Sequence, residues 1–226
     1  MPPSSTKSRI VIPTILVLIS MFLVPQASEA CYSGLIIIPT ADVTGPYTWA
    51  LDLQWQGSSR AFNTDQLVIN TELGLGERFE VGLDIDATSA SVERRVLLNA
   101  KYVVVKSDRH GIALAVGIQN MTQQFTPFPY VVATKDWGVL RTHLGVQHER
   151  DDNHNNWFIG IDRTFQQKWQ VMADYTAGEQ NFSSAGLGWI GDRWQVFVGA
   201  QWPNAGGGPL VVVHVNLMGS IRHRSN

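Results

Sequence analysis

Apolar and polar residues alternate along most of the chain, in short runs that polar turns separate. The clearest run is Phe79–Ala87, where every odd position is apolar and every even position is Glu, Gly or Asp. Successive side chains of a strand point to opposite faces, so this run predicts a strand with one apolar and one acidic face. The preceding run, 67–76, mirrors it across Glu77 and Arg78, which predicts a tight hairpin.

Similar runs recur at short intervals, and we count about twelve, with ten and fourteen as alternatives because sequence patterns fix strand ends only to within a few residues. The spacing leaves no room for crossover helices, and short turns alternate with longer polar ones. The sequence therefore predicts an all-β fold, an antiparallel meander transmembrane β-barrel. The predicted strands cover 48–56, 66–76, 79–88, 96–105, 111–121, 130–135, 139–148, 157–165, 169–176, 182–190, 194–202 and 210–218.

Residues 1–30 have the features of a secretory signal peptide. Lys7 and Arg9 precede an apolar run, 10–24, and Ser28–Ala30 offers small residues for cleavage after Ala30. The apolar run is shorter than the roughly 20 residues of a membrane-spanning helix. We therefore expect export of a mature chain, 31–226, that forms one barrel domain in the cell outer membrane. Cys31 is the only cysteine, so an intramolecular disulfide is excluded, and a lipidated residue or a free thiol are the alternatives.

The two faces of the predicted strands differ in content. One is continuously apolar and is expected to contact lipid, while the other mixes glycine with charged residues and is expected to face the lumen. Tryptophans near the strand ends suit membrane interfaces. A soluble barrel with its apolar face inward is the alternative. The predicted lumen-facing polar residues are Glu72, Glu80, Asp84, Asp86, Lys101, Arg141, His143, Asp162 and Asp174, and we place Arg163 on the same face.

Acidic residues outnumber basic ones on this polar face. Buried charges must be paired or hydrated, so either an ion-pair network plugs the barrel or a small cation-preferring pore remains. The formal net charge of −2 argues against a nucleic-acid partner. His143 could act as a base with Ser183 or Ser184 as nucleophile, but no spacing links them. The histidines and carboxylates of 148–154 are expected to form a solvated loop. We therefore predict no catalytic residue, no metal and no cofactor.

Three segments resemble YjbH-like outer-membrane proteins. They are the run Gly34–Ala41, the hairpin sequence 72–83, and Asn99–Tyr102 followed by 113–117. The resemblance implies a short, barrel-only, non-enzymatic member that serves envelope transport or assembly, with exopolysaccharide export as the role. The expected partners are outer-membrane lipids, the barrel-assembly machinery, and polysaccharide or envelope-export proteins. A small general porin or ligand-binding barrel is the alternative, and a hydrolase within the barrel is the third.

Overall fold

The computed structural model describes residues 33–58, 64–88, 95–121, 127–149 and 154–221. The predicted signal peptide, its cleavage site and Cys31 lie outside these residues. In the described part of the chain, no helix has the length and apolarity needed to cross a membrane. The helical structure recorded there is a single 3₁₀ turn, Asp108–His110.

Twelve antiparallel strands close into a barrel within the described residues, which confirms the predicted fold class and the strand number. Each strand pairs with the next one in the chain, and the first closes against the last from Thr48↔Ser220 to Ser58↔Leu210. The strands are β1 Thr48–Ser58, β2 Thr64–Gly74, β3 Phe79–Asp86, β4 Arg95–Ser107, β5 Ile112–Met121, β6 Phe128–Asp136, β7 Arg141–Glu149, β8 His154–Phe165, β9 Trp169–Thr176, β10 Phe182–Ile190, β11 Trp194–Pro203 and β12 Leu210–Ser220.

The two ends of the barrel differ in the length of their connections. At the short-turn end, strands are joined by three or four residues, while the connections at the long-loop end have four to eight. Gln166 and Gln167 illustrate the short class, with φ angles of 54° and 55°. Two successive left-handed residues form the mirror-image turn that matches the twist of a hairpin. The chain also enters β1 and leaves β12 at the short-turn end.

The outer face of the barrel is apolar over its whole circumference. Leu144 of β7 is 58% exposed and Val198 of β11 is 50% exposed. Exposed aromatic residues lie near both ends, with Trp169 at the short-turn end and Trp157 and Trp202 at the long-loop end. The apolar side chains of the alternating pattern therefore point outward.

The hydrophobic core lies inside the barrel, because residues 33–46 run through the lumen before β1 begins. We call residues 33–46 the plug segment. Its apolar side chains pack against inward-facing residues of the strands, and together they form the buried apolar cluster. This cluster consists of Leu35, Ile36, Ile38 and Ala41 of the plug segment with Val103, Ala115, Tyr130, Val132, Phe158, Met172, Phe197 and Val212 of the wall.

Candidate functional site: a barrel lumen filled by its own chain

The plug segment begins as a small hairpin. Leu35 N donates to Ile38 O at 2.9 Å, and Thr40 N donates to Ser33 O at 3.1 Å. The tip of the hairpin is Ile36–Ile37, from which the chain returns toward the short-turn end. Tyr47 N then donates to the last residue of β2 at 2.9 Å, immediately before β1 starts.

Contacts with opposite walls place the plug segment inside the lumen. At the tip, Ile36 N and Ile37 N donate to Asp174 Oδ2 of β9 at 2.8 and 3.0 Å. At the base, Thr44 N donates to Glu80 Oε2 of β3 at 2.5 Å. Strands β3 and β9 are six positions apart in a ring of twelve, so they face each other across the barrel. The segment therefore crosses the lumen from wall to wall.

Lys101 of β4 anchors the plug segment to the wall on the β3–β4 side. Its ammonium donates to Ser33 O and to Asp42 O, both at 2.7 Å. It also pairs with Glu80 Oε1 at 3.3 Å. Glu72 of β2 accepts the Ser33 hydroxyl at 2.9 Å. A buried charge is tolerated when it is both paired and hydrogen-bonded, and Lys101 meets both conditions at 5% exposure.

Arg141 of β7 forms the second anchor. Its guanidinium pairs with the carboxylate of Asp42 in the plug segment. It also approaches Asp162 Oδ1 of β8 at 3.4 Å. One buried cation therefore joins a plug carboxylate to a wall carboxylate.

His143 continues this network along the wall. Its Nε2 lies 2.8 Å from Asp162 Oδ1, and its Nδ1 lies 2.9 Å from Thr134 Oγ1. The Thr134 oxygen in turn accepts Ala41 N of the plug segment at 2.9 Å. With the proton assigned to Nε2 by these partners, the imidazole donates to the carboxylate and accepts from the hydroxyl. Gln170 Nε2 completes the row by donating to Asp162 Oδ2 at 3.0 Å.

This hydroxyl–imidazole–carboxylate row is part of the anchoring network rather than a nucleophilic centre. Thr134 is 5% exposed and His143 is fully buried, and the Thr134 hydroxyl oxygen is occupied by Ala41 N of the plug segment. The structure does not bring Ser183 or Ser184 to His143, because β10 lies three strands away from β7. The Ser183 hydroxyl instead donates to Asn204 Oδ1 at 3.2 Å.

A cavity of about 390 Å³ lies between the plug segment and the walls of β1–β6 and β12. Asp84 of β3 lines it and accepts Asn99 Nδ2 at 2.6 Å. Asp86, two residues further on, accepts the Thr88 hydroxyl at 2.5 Å. Several amide side chains share the lining with Asp84, namely those of Gln54, Gln66, Asn70, Asn99, Gln119 and Asn120.

A further buried contact between polar side chains, not anticipated from the sequence, joins the first and last strands. His214 Nδ1 of β12 lies 2.8 Å from Asp52 Oδ2 of β1. Asn70 Nδ2 donates to the same oxygen at 3.3 Å. Asp52 and His214 occupy polar positions in their strands, so extending the face assignment to β1 and β12 would have found them. Asp42 is outside any strand, where alternation gives no signal.

The placement of Arg163 in the lumen was wrong. Arg163 follows Asp162 in β8, and Asp162 is 2% exposed on the inner face. Adjacent strand residues point to opposite faces, so Arg163 points outward. Its guanidinium donates to Gly138 O at the short-turn end. The basic residues of the lumen network described above are therefore Lys101 and Arg141, apart from the histidines.

The proposed loop around 148–154 shows no metal-binding arrangement in the described part of the chain. Residues 150–153 of that loop lie outside the described residues. His148 Nδ1 instead lies 2.9 Å from Asn155 Oδ1 across the β7–β8 pair.

Comparison with known proteins identifies the shared fold. No protein-family model matches the chain, and no curated protein matches it in sequence. Among solved structures, the chain is similar to "KdgM porin" with a TM-score of 0.53 and 13% sequence identity, over 77% of this chain and 99% of that one. It is also similar to "KdgM porin in complex with disordered oligogalacturonate", with a TM-score of 0.50, 12% identity and the same coverage of both chains. At these identities the likeness establishes a common barrel architecture.

Proposed function

We propose that the protein is a non-catalytic, integral outer-membrane barrel that serves transport or assembly in a Gram-negative-type envelope. In this proposal the plug segment holds the lumen closed until it shifts. The observation that carries the proposal is the path of the plug segment from Glu80 on β3 to Asp174 on β9, which occupies the route that a solute would take.

The exterior of the barrel supports a membrane location. Large apolar side chains cover the outside, while the charged side chains of Glu80, Lys101, Arg141, Asp162 and Asp174 are buried inside the barrel. Contiguous exposed apolar surface on this scale is rare in soluble monomers and typical of membrane contact. Trp157 and Trp169, at opposite ends of the barrel, suit the two interfaces of a bilayer. The fold shared with the KdgM porin agrees with this location.

The close fit of the plug segment against Gly160 of β8 supports closure. A Cβ atom at Gly160 would lie 2.5 Å from Leu35 Cδ1 and 2.6 Å from Ile38 Cδ1. Any larger residue at this point of the wall would therefore displace the ends of these two side chains. The hairpin and the wall are therefore matched in shape as well as in charge.

Membrane location is tested with a pair of neighbouring substitutions. Leu83→Arg places a charge on the outer face of β3, where it costs about 2–4 kcal/mol at mid-membrane depth. Asp84→Asn changes the inner face of the same strand and serves as the matched control. We expect Leu83→Arg to deplete the protein from carbonate-washed membranes and Asp84→Asn to leave it there. Release of the wild type by the carbonate wash would reject the membrane location.

Closure is tested by conductance in planar bilayers. We expect the wild type to be silent and Gly160→Val to open channels, because the added methyl groups displace Leu35 and Ile38. Gly188→Val is the control, since the nearest atom to a Cβ there is Gln195 Nε2 at 3.2 Å and the three nearest atoms all belong to the wall rather than to the plug segment. Steady channels in the wild type would favour the small-porin alternative.

The polysaccharide role rests on the resemblance to YjbH-like proteins and has its own test. We expect a deletion strain to lose surface polysaccharide and a plasmid copy of the wild type to restore it. An unchanged polysaccharide in the deletion strain would remove this role, while the results on membrane location and closure would stand.

A further inference from the structure

We infer that the cavity beside the plug tip binds a small organic cation that also carries hydroxyl groups. The plug residues Gly34–Pro39 form one side of this cavity, and inner faces of seven strands form the rest. Its volume of about 390 Å³ lies within the usual range of small-molecule sites. This inference rests on the proposed function in one respect only, namely the side of the membrane from which the ligand reaches the cavity.

The cavity lies on the long-loop side of the plug segment. Among its lining residues, Gln66 is near the start of β2, and Leu97 is near the start of β4. Asn120 is at the end of β5. These three strand termini all belong to the long-loop end. The cavity therefore extends toward the long-loop end, and Lys101, one of the two anchors of the plug segment, forms part of its lining.

The charge of the lining favours a cation. Three carboxylates, those of Glu72, Glu80 and Asp84, share the cavity with one ammonium, that of Lys101. Glu80 and the carbonyls of the plug segment already occupy this ammonium. Asp84 accepts the Asn99 amide and has no cationic partner among the described residues. A half-buried carboxylate gains most from a positive charge placed within a few ångströms.

The uncharged groups of the lining favour a ligand rich in hydroxyls. The side-chain amides of Gln66 and Gln119 line the cavity and make no hydrogen bond to another described residue. His214 also lines it, is 5% exposed, and has a buried Nε2 without a partner in the described part of the chain. Amides offer both donors and acceptors, and an imidazole nitrogen accepts or donates. A hydroxyl can satisfy either kind of group.

Three pyranose probes separate the contribution of ligand charge to binding from that of ligand shape. Glucosamine, glucose and glucuronate share a ring and its hydroxyls but carry a positive, zero and negative charge. We expect isothermal titration of the detergent-solubilised protein to give the tightest binding for glucosamine. Glucose should bind at least about tenfold more weakly, as the loss of one charge pair implies, and glucuronate more weakly still.

Two substitutions identify the carboxylate responsible. Asp84→Asn keeps an acceptor for Asn99 and should reduce glucosamine affinity to that of glucose. Asp86→Asn removes a carboxylate two residues away that does not line the cavity, and it should leave glucosamine affinity unchanged. The double variant Gln66→Leu, Gln119→Leu should weaken the binding of glucosamine and the binding of glucose by similar factors. Each variant is first checked for heat-modifiable gel mobility, which reports a folded barrel.

The inference is overturned if glucosamine does not bind, if the three probes bind equally, or if Asp84→Asn keeps the preference for glucosamine. None of these results bears on the proposed function, because titration in detergent requires neither insertion into a membrane nor conductance. Conversely, release by a carbonate wash would reject the membrane location even if glucosamine bound as expected.

Discussion

The lumen of this barrel has two halves with similar polar walls, but the charged residues of these walls have different partners in each half. Toward the short-turn end, Lys101 and Arg141 are paired with carboxylates and bound to the plug segment. Toward the long-loop end, Asp84 lines a cavity and has the Asn99 amide as its only partner among the described residues. Glu80 and Asp84 lie four residues apart on the same face of β3 and both line the cavity, but only Glu80 has a cationic partner, Lys101, among the described residues.

The difference shows how a plug segment divides an acidic lumen. Where the chain fills the barrel, a carboxylate loses water, and only a cation or several donors compensate for that loss. Where the cavity remains, a carboxylate can keep its water or exchange it for a ligand. We therefore expect substitutions in the short-turn half to change stability and substitutions in the long-loop half to change selectivity.

Removal of Arg141 should have the largest effect on stability. Arg141→Met leaves Asp42 and Asp162 without their shared cation, and breaking a buried ion pair from one side costs about 3–5 kcal/mol. We expect a lower urea midpoint in detergent and the appearance of bilayer channels as the plug segment loosens. Lys168→Met, at an exposed turn position, is the control and should shift stability by less than about 0.5 kcal/mol. Equal midpoints for the two variants would contradict the anchoring role.

Removal of the imidazole at His143 should have an intermediate effect. His143→Leu is similar in size and deletes the bonds to Asp162 and Thr134, while Arg141 and Gln170 still satisfy the carboxylate. The remaining cost is that of partly unsatisfied buried groups, about 1–3 kcal/mol. The urea midpoint should therefore fall between those of Arg141→Met and the wild type. His148→Leu, on the long-loop side of the same strand, should have little effect, and a larger loss there than at His143 would reject the network.

Strands and their faces could be predicted from the sequence because both depend on local alternation. Each of the twelve predicted runs overlaps one strand, and Phe79–Asp86 forms β3 with its acidic side chains inward. Arg163 was misplaced because two adjacent residues, Asp162 and Arg163, were both assigned to the inner face, and alternation allows only one of them there. Within a strand, the odd or even position of a residue therefore predicted the face of its side chain better than its residue type did.

The plug segment could not be placed in this way because its contacts are distant in sequence. Ile36 bonds to Asp174, 138 residues later, and Asp42 pairs with Arg141, 99 residues later. The run Leu35–Ile38 is apolar without any period, so nothing in it distinguishes a buried hairpin from a strand. One feature of the sequence, the excess of carboxylates on the polar face, did suggest a plugged lumen. A lumen with more carboxylates than cations has spare acceptors, and backbone N–H groups of the plug segment occupy two of them, Asp174 and Glu80.

Neutralising Asp84 should have the smallest effect on stability and a distinct effect on selectivity. Asp84→Asn retains the bond to Asn99 and removes no ion pair among the described residues, so we expect a change within about 0.5 kcal/mol. In the Gly160→Val background, where the plug segment is displaced, the open lumen should prefer cations, and Asp84→Asn should reduce that preference. The measurement is the reversal potential across a bilayer with a potassium chloride gradient, which should move toward zero.

Glu77→Gln is the matched control, because it removes a carboxylate from the exposed turn between β2 and β3 and should leave the reversal potential unchanged. If Asp84→Asn instead lowered the urea midpoint as much as Arg141→Met, the carboxylate would be a structural anchor, and the two halves of the lumen would be equivalent. A reversal potential that moved equally in both variants would mean that selectivity arises at the barrel mouth. Only a shift confined to Asp84→Asn, with stability unchanged, assigns selectivity to the long-loop half.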